Sequence, residues 1–197
     1  MRTRYLLKSG LDVIYRPFEH RDIQKCSQIL LRNFEPLKSD MSSQEWQQHF
    51  GQIYTLANLP KLARERHYRV VALSDGEVVG LMGFIPYSNQ EAEISNLSID
   101  PLFQRKGLGK LLITTGLLSA LDSGVITFCA DAGLWSKAIL VTLGFQTDPE
   151  RSNKYGKRVQ FIYATATSDF KVRVLDMLGL VIVGTNPSTQ SASSEQP

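Results

Sequence analysis

Asp75-Gly76, set between two runs of strand-forming residues, narrows what this chain can fold into more than any other feature. Residues 68–73 and 78–85 are mostly apolar or aromatic, and Asp-Gly supplies the positive φ angles that a two-residue hairpin turn demands. The two runs are therefore read as antiparallel neighbours. After a polar turn at 88–90, residues 91–99 continue as a further strand, but its apolar residues change phase: Ala92 and Ile94 share one parity, Leu97 and Ile99 the other. Side chains alternate faces with period two, so this slip predicts a bulge near Ser95 or Asn96.

Other elements assemble around this antiparallel unit. Residues 11–18 read as a short strand and 21–34 as a helix with Ile23, Cys26, Leu30 and Phe34 on one face. Ser42 with Glu45 three positions later has the form of a capping box. Trp46, Phe50, Ile53 and Ala57 then recur at helical spacing until Pro60, which predicts a second helix ending there. Asp100-Pro101 stops the strand at 91–99, and a glycine-bearing loop follows. Leu108, Leu111, Leu112, Thr115 and Leu118 mark the buried face of a helix that ends before Gly124. Residues 125–130 form a short apolar strand. Trp135, Ala138, Ile139 and Leu143 trace a helix ended by Gly144, and residues 159–164 alternate as a late strand paired near Phe145. This order defines a domain at 1–167 of the α/β (α+β) class. Residues 168–186 read as an accessory segment, with 170–183 fitting either a helix or a strand, and the Ser-, Gln- and Glu-rich tail at 187–197 is expected to be disordered.

Composition removes several function classes. Twenty-two basic against 19 acidic side chains leave a formal charge of +3, short of the clustered basic surface that neutralising a nucleic-acid backbone requires. Residues 1–10 lack the apolar core and cleavage site of a secretory leader. The most apolar window, 172–183, is interrupted by Arg173 and Asp176 and falls short of the roughly 20 residues that cross a bilayer. The two cysteines, Cys26 and Cys129, lie far apart in apolar stretches, the pattern of buried, reduced thiols in a cytoplasmic protein.

The chemistry concentrates at Gln104-Arg105-Lys106-Gly107-Leu108-Gly109-Lys110, between a strand and a helix start. First-turn amides have no intrahelical acceptors and attract anions. Gly107 and Gly109 let the backbone approach a diphosphate closely, and Arg105, Lys106 and Lys110 add positive charge. A Walker loop would need a glycine at Gln104 and a Ser or Thr at Leu111. A dinucleotide fingerprint would need a third glycine at Leu112 and a parallel strand context. Neither pattern is met.

Gln104-x-x-Gly107-x-Gly109 resembles the (Gln/Arg)-x-x-Gly-x-(Gly/Ala) signature of the GNAT N-acetyltransferases. Leu97-Ser98-Ile99-Asp100-Pro101 looks like that family's strand into the loop, Leu143-Gly144-Phe145 like its helix terminator, and Arg16 with Asp22 like its opening strand and helix. The resemblance covers about residues 11–163. It implies a mixed, mostly antiparallel twisted sheet flanked by helices, with splayed central strands that admit the pantetheine arm of acetyl-coenzyme A. It also implies main-chain contacts to pantetheine from the segment Leu97, Ser98 and Ile99, and to the pyrophosphate from Gln104, Arg105, Lys106, Gly107, Leu108, Gly109 and Lys110. Acetyl-coenzyme A is then the cosubstrate, with no metal and an amine as acceptor.

Amide formation from a thioester needs a neutral amine and a route for its proton. Glu93, ahead of Glu91, lies where many family members carry a base, and it reads equally as an exposed strand carboxylate. The tyrosine that often protonates the departing thiolate has Leu140 in its place, and Gly133 stands where an asparagine commonly touches the cofactor. Tyr155 or Tyr163 is the substitute acid, or ordinary aromatic packing accounts for both. His20, His49 and His67 show no metal spacing, and Trp46 and Phe50 read as core. Two functions fit: an N-acetyltransferase acting on a primary amine of a small molecule or protein, or a catalytically silent acyl-coenzyme A-binding regulatory module. Either is compatible with a homodimer formed through residues 172–183.

Overall fold

A computed structural model describes residues 2–148 and 159–186. Tyr155 and the tail at 187–197 lie outside the described residues. The chain opens with a hairpin, strand β1 at Thr3–Leu7 and strand β2 at Asp12–Pro17. The sequence pattern gives no sign of β1: it is five residues long and carries Arg4. Tyr5 and Leu7 nevertheless point into the core, and β1 is held on both sides by other strands.

Helix α1, Ile23–Phe34, follows with Cys26, Ile29 and Leu30 buried. The capping box forms as expected: Ser42 Oγ accepts from the Glu45 amide at 3.2 Å, and Glu45 Oε2 accepts from the Ser42 amide at 2.7 Å. The long second helix does not form. A single α-turn, α2 at Ser43–Trp46, widens into a π-turn at Gln47–Gly51, and a separate helix α3 spans Leu59–Glu65. Pro60 sits in the first turn of α3, where a missing N–H has no intrahelical acceptor to lose, so it starts a helix instead of ending one. Aromatic packing holds the irregular stretch, with Phe50 centred 4.7 Å from Phe34 and 5.0 Å from Trp46.

Strands β3 (Arg69–Leu73), β4 (Val78–Pro86) and β5 (Glu91–Ile99) form the expected meander. The bulge is where the phase slip placed it. Leu81 pairs with Ser98 but Gly83 with Ser95, so β5 holds one residue more than β4 across that interval, and Asn96 takes φ +57°. Helix α4 (Leu108–Asp122), strand β6 (Thr127–Gly133), helix α5 (Leu134–Thr142) and strands β7 (Gln146–Thr147) and β8 (Val159–Thr165) follow. The C-terminal segment contributes both a helix, α6 at Ser168–Gly179, and a strand, β9 at Ile182–Asn186.

All strands belong to one sheet in the order β7-β8-β6-β5-β4-β3-β2-β1-β9. Every pairing is antiparallel except β5 with β6. Helices cover both faces. On one, α4 and α6 pack over residues such as Val71, Met82, Ile94 and Phe128; on the other, α1 to α3 pack over Val70, Leu81 and Tyr68. Close approach of α4 to β4 depends on Gly116, because a Cβ there would collide with Met82 and would stand 2.9 Å from Phe84. Helix α6 inserts Phe170, whose ring stacks on Phe128 at 5.9 Å, while Val172, Leu175, Leu180 and Val183 stay exposed. No helix among the described residues is long and apolar enough to cross a membrane.

Candidate active site

Among the described strands, the one parallel pairing is also the shortest contact between long strands. Strand β5 pairs with β6 only from Glu91 to Glu93, opposite Thr127 to Cys129. Beyond that point β5 continues to Ile99 while β6 continues to Gly133 beside β8. The two strands therefore part, leaving a gap whose closed end lies at Glu93 and Cys129. Along the open part the bulge reverses the pleat. Leu97 and Ile99 turn toward the α4 core, while Ser98 turns the other way and is buried, its Oγ lacking a hydrogen-bond partner among the described residues.

The open end leads into the glycine loop. Asp100 terminates β5: Oδ1 accepts from the Leu102 amide at 3.1 Å, and Lys25 Nζ lies 2.8 Å from Oδ2. Burial alone would raise the Asp100 carboxyl. The Lys25 ammonium and the Leu102 amide outweigh burial and hold it below the usual carboxylate range. Asn33 on α1 donates to the Ile99 carbonyl at 2.9 Å, and Gln104 Nε2 reaches the same oxygen at 3.3 Å. With both lone pairs of that carbonyl engaged, Ile99 itself has only its amide to offer a ligand running along the gap. The first glutamine of the motif is thus a brace between loop, strand and helix.

Arg105 adopts φ +61° and Gly107 φ +88°. Gly107 is the N-cap of α4 and no side chain caps the helix. Its carbonyl receives the Leu111 amide at 2.9 Å, so the amides of Leu108, Gly109 and Lys110 face the loop's concave side without intrahelical acceptors. An added Cβ at Gly109 would meet Ile139 Cδ1 at 3.5 Å and Ile99 Cγ1 at 3.9 Å, ordinary contacts that the protein itself does not forbid. From behind, Ser9 Oγ donates to the Lys106 carbonyl at 2.9 Å, and Val181 lies 3.5 Å from where a Gly107 Cβ would stand. Residues 105, 106 and 110 keep their cationic side chains at least partly exposed, with Lys106 Nζ 5.0 Å from the Phe103 ring centroid.

At the closed end, Glu93 is partly exposed and its Oε2 accepts from the Tyr87 hydroxyl. Leu140 is buried in the core and offers no donor. Tyr163 is 40% exposed on the outer part of the sheet, its hydroxyl 3.4 Å from Gln146 Oε1. Trp46 and Phe50 are core residues, and Cys26 is a thiol whose titration burial pushes up. Among the described residues no group of His, Cys, Asp and Glu side chains could hold a metal ion. Sequence reasoning missed Ser9, Asn33 and Arg66, which contribute through contacts distant in the chain, and Tyr87, which reaches Glu93 only six residues on.

A splayed parallel pair that opens onto an uncapped helix start is what the resemblance to the GNAT N-acetyltransferases implies. The acetyltransferase (GNAT) family model matches residues 24–145. The chain belongs to the GNAT acetyltransferase family. Among solved structures it is similar to the PaiA N-acetyltransferase of Thermoplasma acidophilum in complex with coenzyme A, at 12% identity and TM-score 0.65, over 78% of this chain and 99% of that one. It is also similar to RimJ of Mycobacterium smegmatis in complex with CoA-disulfide, at 17% identity and TM-score 0.62, over 92% of this chain and 96% of the other. A GNAT-family acetyltransferase of Staphylococcus aureus matches at 11% identity and TM-score 0.60, over 79% and 99%. These likenesses are of fold. Nothing among curated protein sequences matches the chain.

Proposed function

We propose that this chain is an acetyl-coenzyme A-dependent N-acetyltransferase that acts on a primary amine in the cytoplasm. The carrying observation is that the β5–β6 gap and the uncapped start of α4 lie end to end along one strand. A pyrophosphate at the amides of residues 105–110 would leave the pantetheine arm to run back along Leu97, Ser98 and Ile99, pairing with main chain. The thioester would then stop near the apex, beside Ser95 and Glu93. Arg105, Lys106 and Lys110 supply the cationic surroundings, and Gln104 holds the loop to β5.

Glu93, relayed through water where needed, takes the proton of the attacking amine. The amine nitrogen forms a bond to the thioester carbonyl carbon, the carbon–sulfur bond breaks, and the thiolate leaves to be protonated by solvent or by Tyr155. That last step follows from Leu140, whose buried methyl groups supply no acid. The same residue is the observation that favours the second reading, a silent acyl-coenzyme A-binding module. Tyr155, as a substitute acid, belongs to the first reading.

Calorimetric titration with acetyl-coenzyme A, followed by thiol release across a panel of amines, separates them. The transferase reading expects saturable binding and amine-dependent thiol release. Binding without release above hydrolysis would assign the silent module, and absence of binding would remove both.

A further inference from the structure

Arg66 closes α3 and turns the chain toward β3, and its guanidinium reaches the bulge of β5. Nη1 lies 2.7 Å from Asn96 Oδ1, 3.3 Å from Ser95 Oγ and 3.4 Å from the Tyr54 hydroxyl. The cluster is closed by uncharged groups alone. Tyr68 and Ser95 both donate to Asn96 Oδ1 at 2.7 Å, and Asn96 Nδ2 donates to the Tyr54 hydroxyl at 2.8 Å.

Partly buried cations ordinarily sit against an anion, because desolvating an unpaired charge is costly. This chain follows that rule at Arg16, which holds Asp22 through two bonds of 2.6 and 2.8 Å. Arg66 departs from it. Among the described residues no carboxylate pairs with it, and every side-chain hydrogen bond it makes leaves from Nη1. The Nε–Nη2 edge, the side of the fork that matches a carboxylate in bidentate fashion, donates no hydrogen bond to a side chain among the described residues.

Its position gives that unbonded edge a meaning. Ser95 and Glu93 lie on the same face of β5, two residues and about 7 Å apart, and the strand pairing that closes the gap ends at Glu93. A cation with no carboxylate partner among the described residues thus stands one pleat from the carboxylate proposed to receive the amine proton. We propose that the acceptor is a small amino acid, its amine directed to Glu93 and its carboxylate bound by the Nε–Nη2 edge of Arg66. The inference rests on the transferase reading and narrows it. A protein N-terminus would present a neutral peptide carbonyl beside its amine and leave Arg66 uncompensated.

The test compares glycine, β-alanine and 4-aminobutyrate with their primary amides, at equal free-amine concentration, in wild type, Arg66→Gln and Arg66→Lys. The wild-type enzyme is expected to use at least one acid about 10-fold or more better than its amide in kcat/KM. Arg66→Gln lowers kcat/KM for that acid about 10- to 100-fold and for the amide less than about 3-fold, while Arg66→Lys retains part of the preference. Equal use of acids and amides by wild type overturns the inference and leaves the transferase intact, and it needs no variant to fold. A parallel loss on both substrate types in a folded Arg66→Gln would assign the residue to bracing the bulge and overturn it too. If acetyl-coenzyme A binds but no amine releases thiol, the transferase reading fails and takes this one with it.

Discussion

Replacing Gly107 separates the shape of the loop from its charge. Gly107 stands at φ +88°, ψ −7°, and an added Cβ would meet only Val181 Cβ and Cγ1 at 3.5 Å, an ordinary contact. Gly107→Ala therefore carries a backbone cost of about 1–2 kcal/mol for left-handed geometry. About 0.4–1 kcal/mol of this is offset because alanine restricts the unfolded chain. The net loss is about 1 kcal/mol, a fall in Tm of about 2–4 °C for a chain of this size. The loop is anchored on both sides, by Ser9 Oγ on the Lys106 carbonyl and by the Leu111 amide on the Gly107 carbonyl, each at 2.9 Å. It should keep its shape, and acetyl-coenzyme A affinity should change less than about 3-fold.

Gly107→Asp has the same backbone cost and adds an anion. Its Cβ points toward Val181, behind the loop, so the carboxylate opposes a bound diphosphate through space and not by contact. At an effective dielectric constant of about 40–80 for this exposed loop and a separation of roughly 8 Å, repulsion from the two negative charges of the diphosphate is about 1–2 kcal/mol. Affinity should fall about 5- to 30-fold, and the loss should shrink as salt rises. Titration calorimetry of both variants at low and high salt, with thermal unfolding alongside, reads every quantity. Wild-type affinity in a folded Gly107→Asp would refute the idea that the pyrophosphate rests on residues 105–110. Equal losses in the two variants would show that loop shape, not charge, governs binding.

Three further outcomes follow from the same geometry. Glu93→Gln should lower kcat about 100-fold or more with acetyl-coenzyme A affinity unchanged; steady-state kinetics with calorimetry check it, and an unaltered kcat retires Glu93 as the base. Asp22→Asn removes one partner of the buried pair with Arg16, both about 2% exposed or less. The expected loss is about 3–5 kcal/mol, seen as a fall in Tm on the order of 10 °C; a change of less than about 1 kcal/mol in denaturant unfolding would contradict the pairing. Asp100 ionises below its ordinary range in the folded chain, so on acidification the unfolded state takes up the proton first. Its contribution is therefore full above the unfolded value of about 3.9 and disappears as pH falls through the folded value. Asp100→Asn should be less stable than wild type at neutral pH and converge with it in strong acid. A constant stability difference across that range would exclude the Lys25–Asp100 pair as the cause.

Much of the local structure was legible before any coordinates. The Asp75-Gly76 hairpin, the capping box at Ser42 and Glu45, and the helix after Gly107 are short-range features, written in turn chemistry and periodicity. The bulge was legible for the same reason: a period-two pattern cannot change parity without an extra residue, and Asn96 is that residue. Strand β1 and the break between α2 and α3 were not. The first is stabilised by its hairpin partner at Asp12–Pro17 and, far away in the chain, by Ile182–Asn186, and the second by aromatic packing across α1.

Sequence by itself therefore determined the phosphate-attracting turn, because main-chain amides and positive-φ glycines act within a few residues, and it determined the family to which that turn belongs. Tertiary structure alone decided what surrounds the turn. Only folding brings Ser9 behind Lys106, Asn33 and Gln104 onto one carbonyl, and Arg66 to the bulge near Glu93 with no carboxylate partner among the described residues. Burial and charge compensation at such points are properties of residues that meet in space, and no spacing along the chain encodes them.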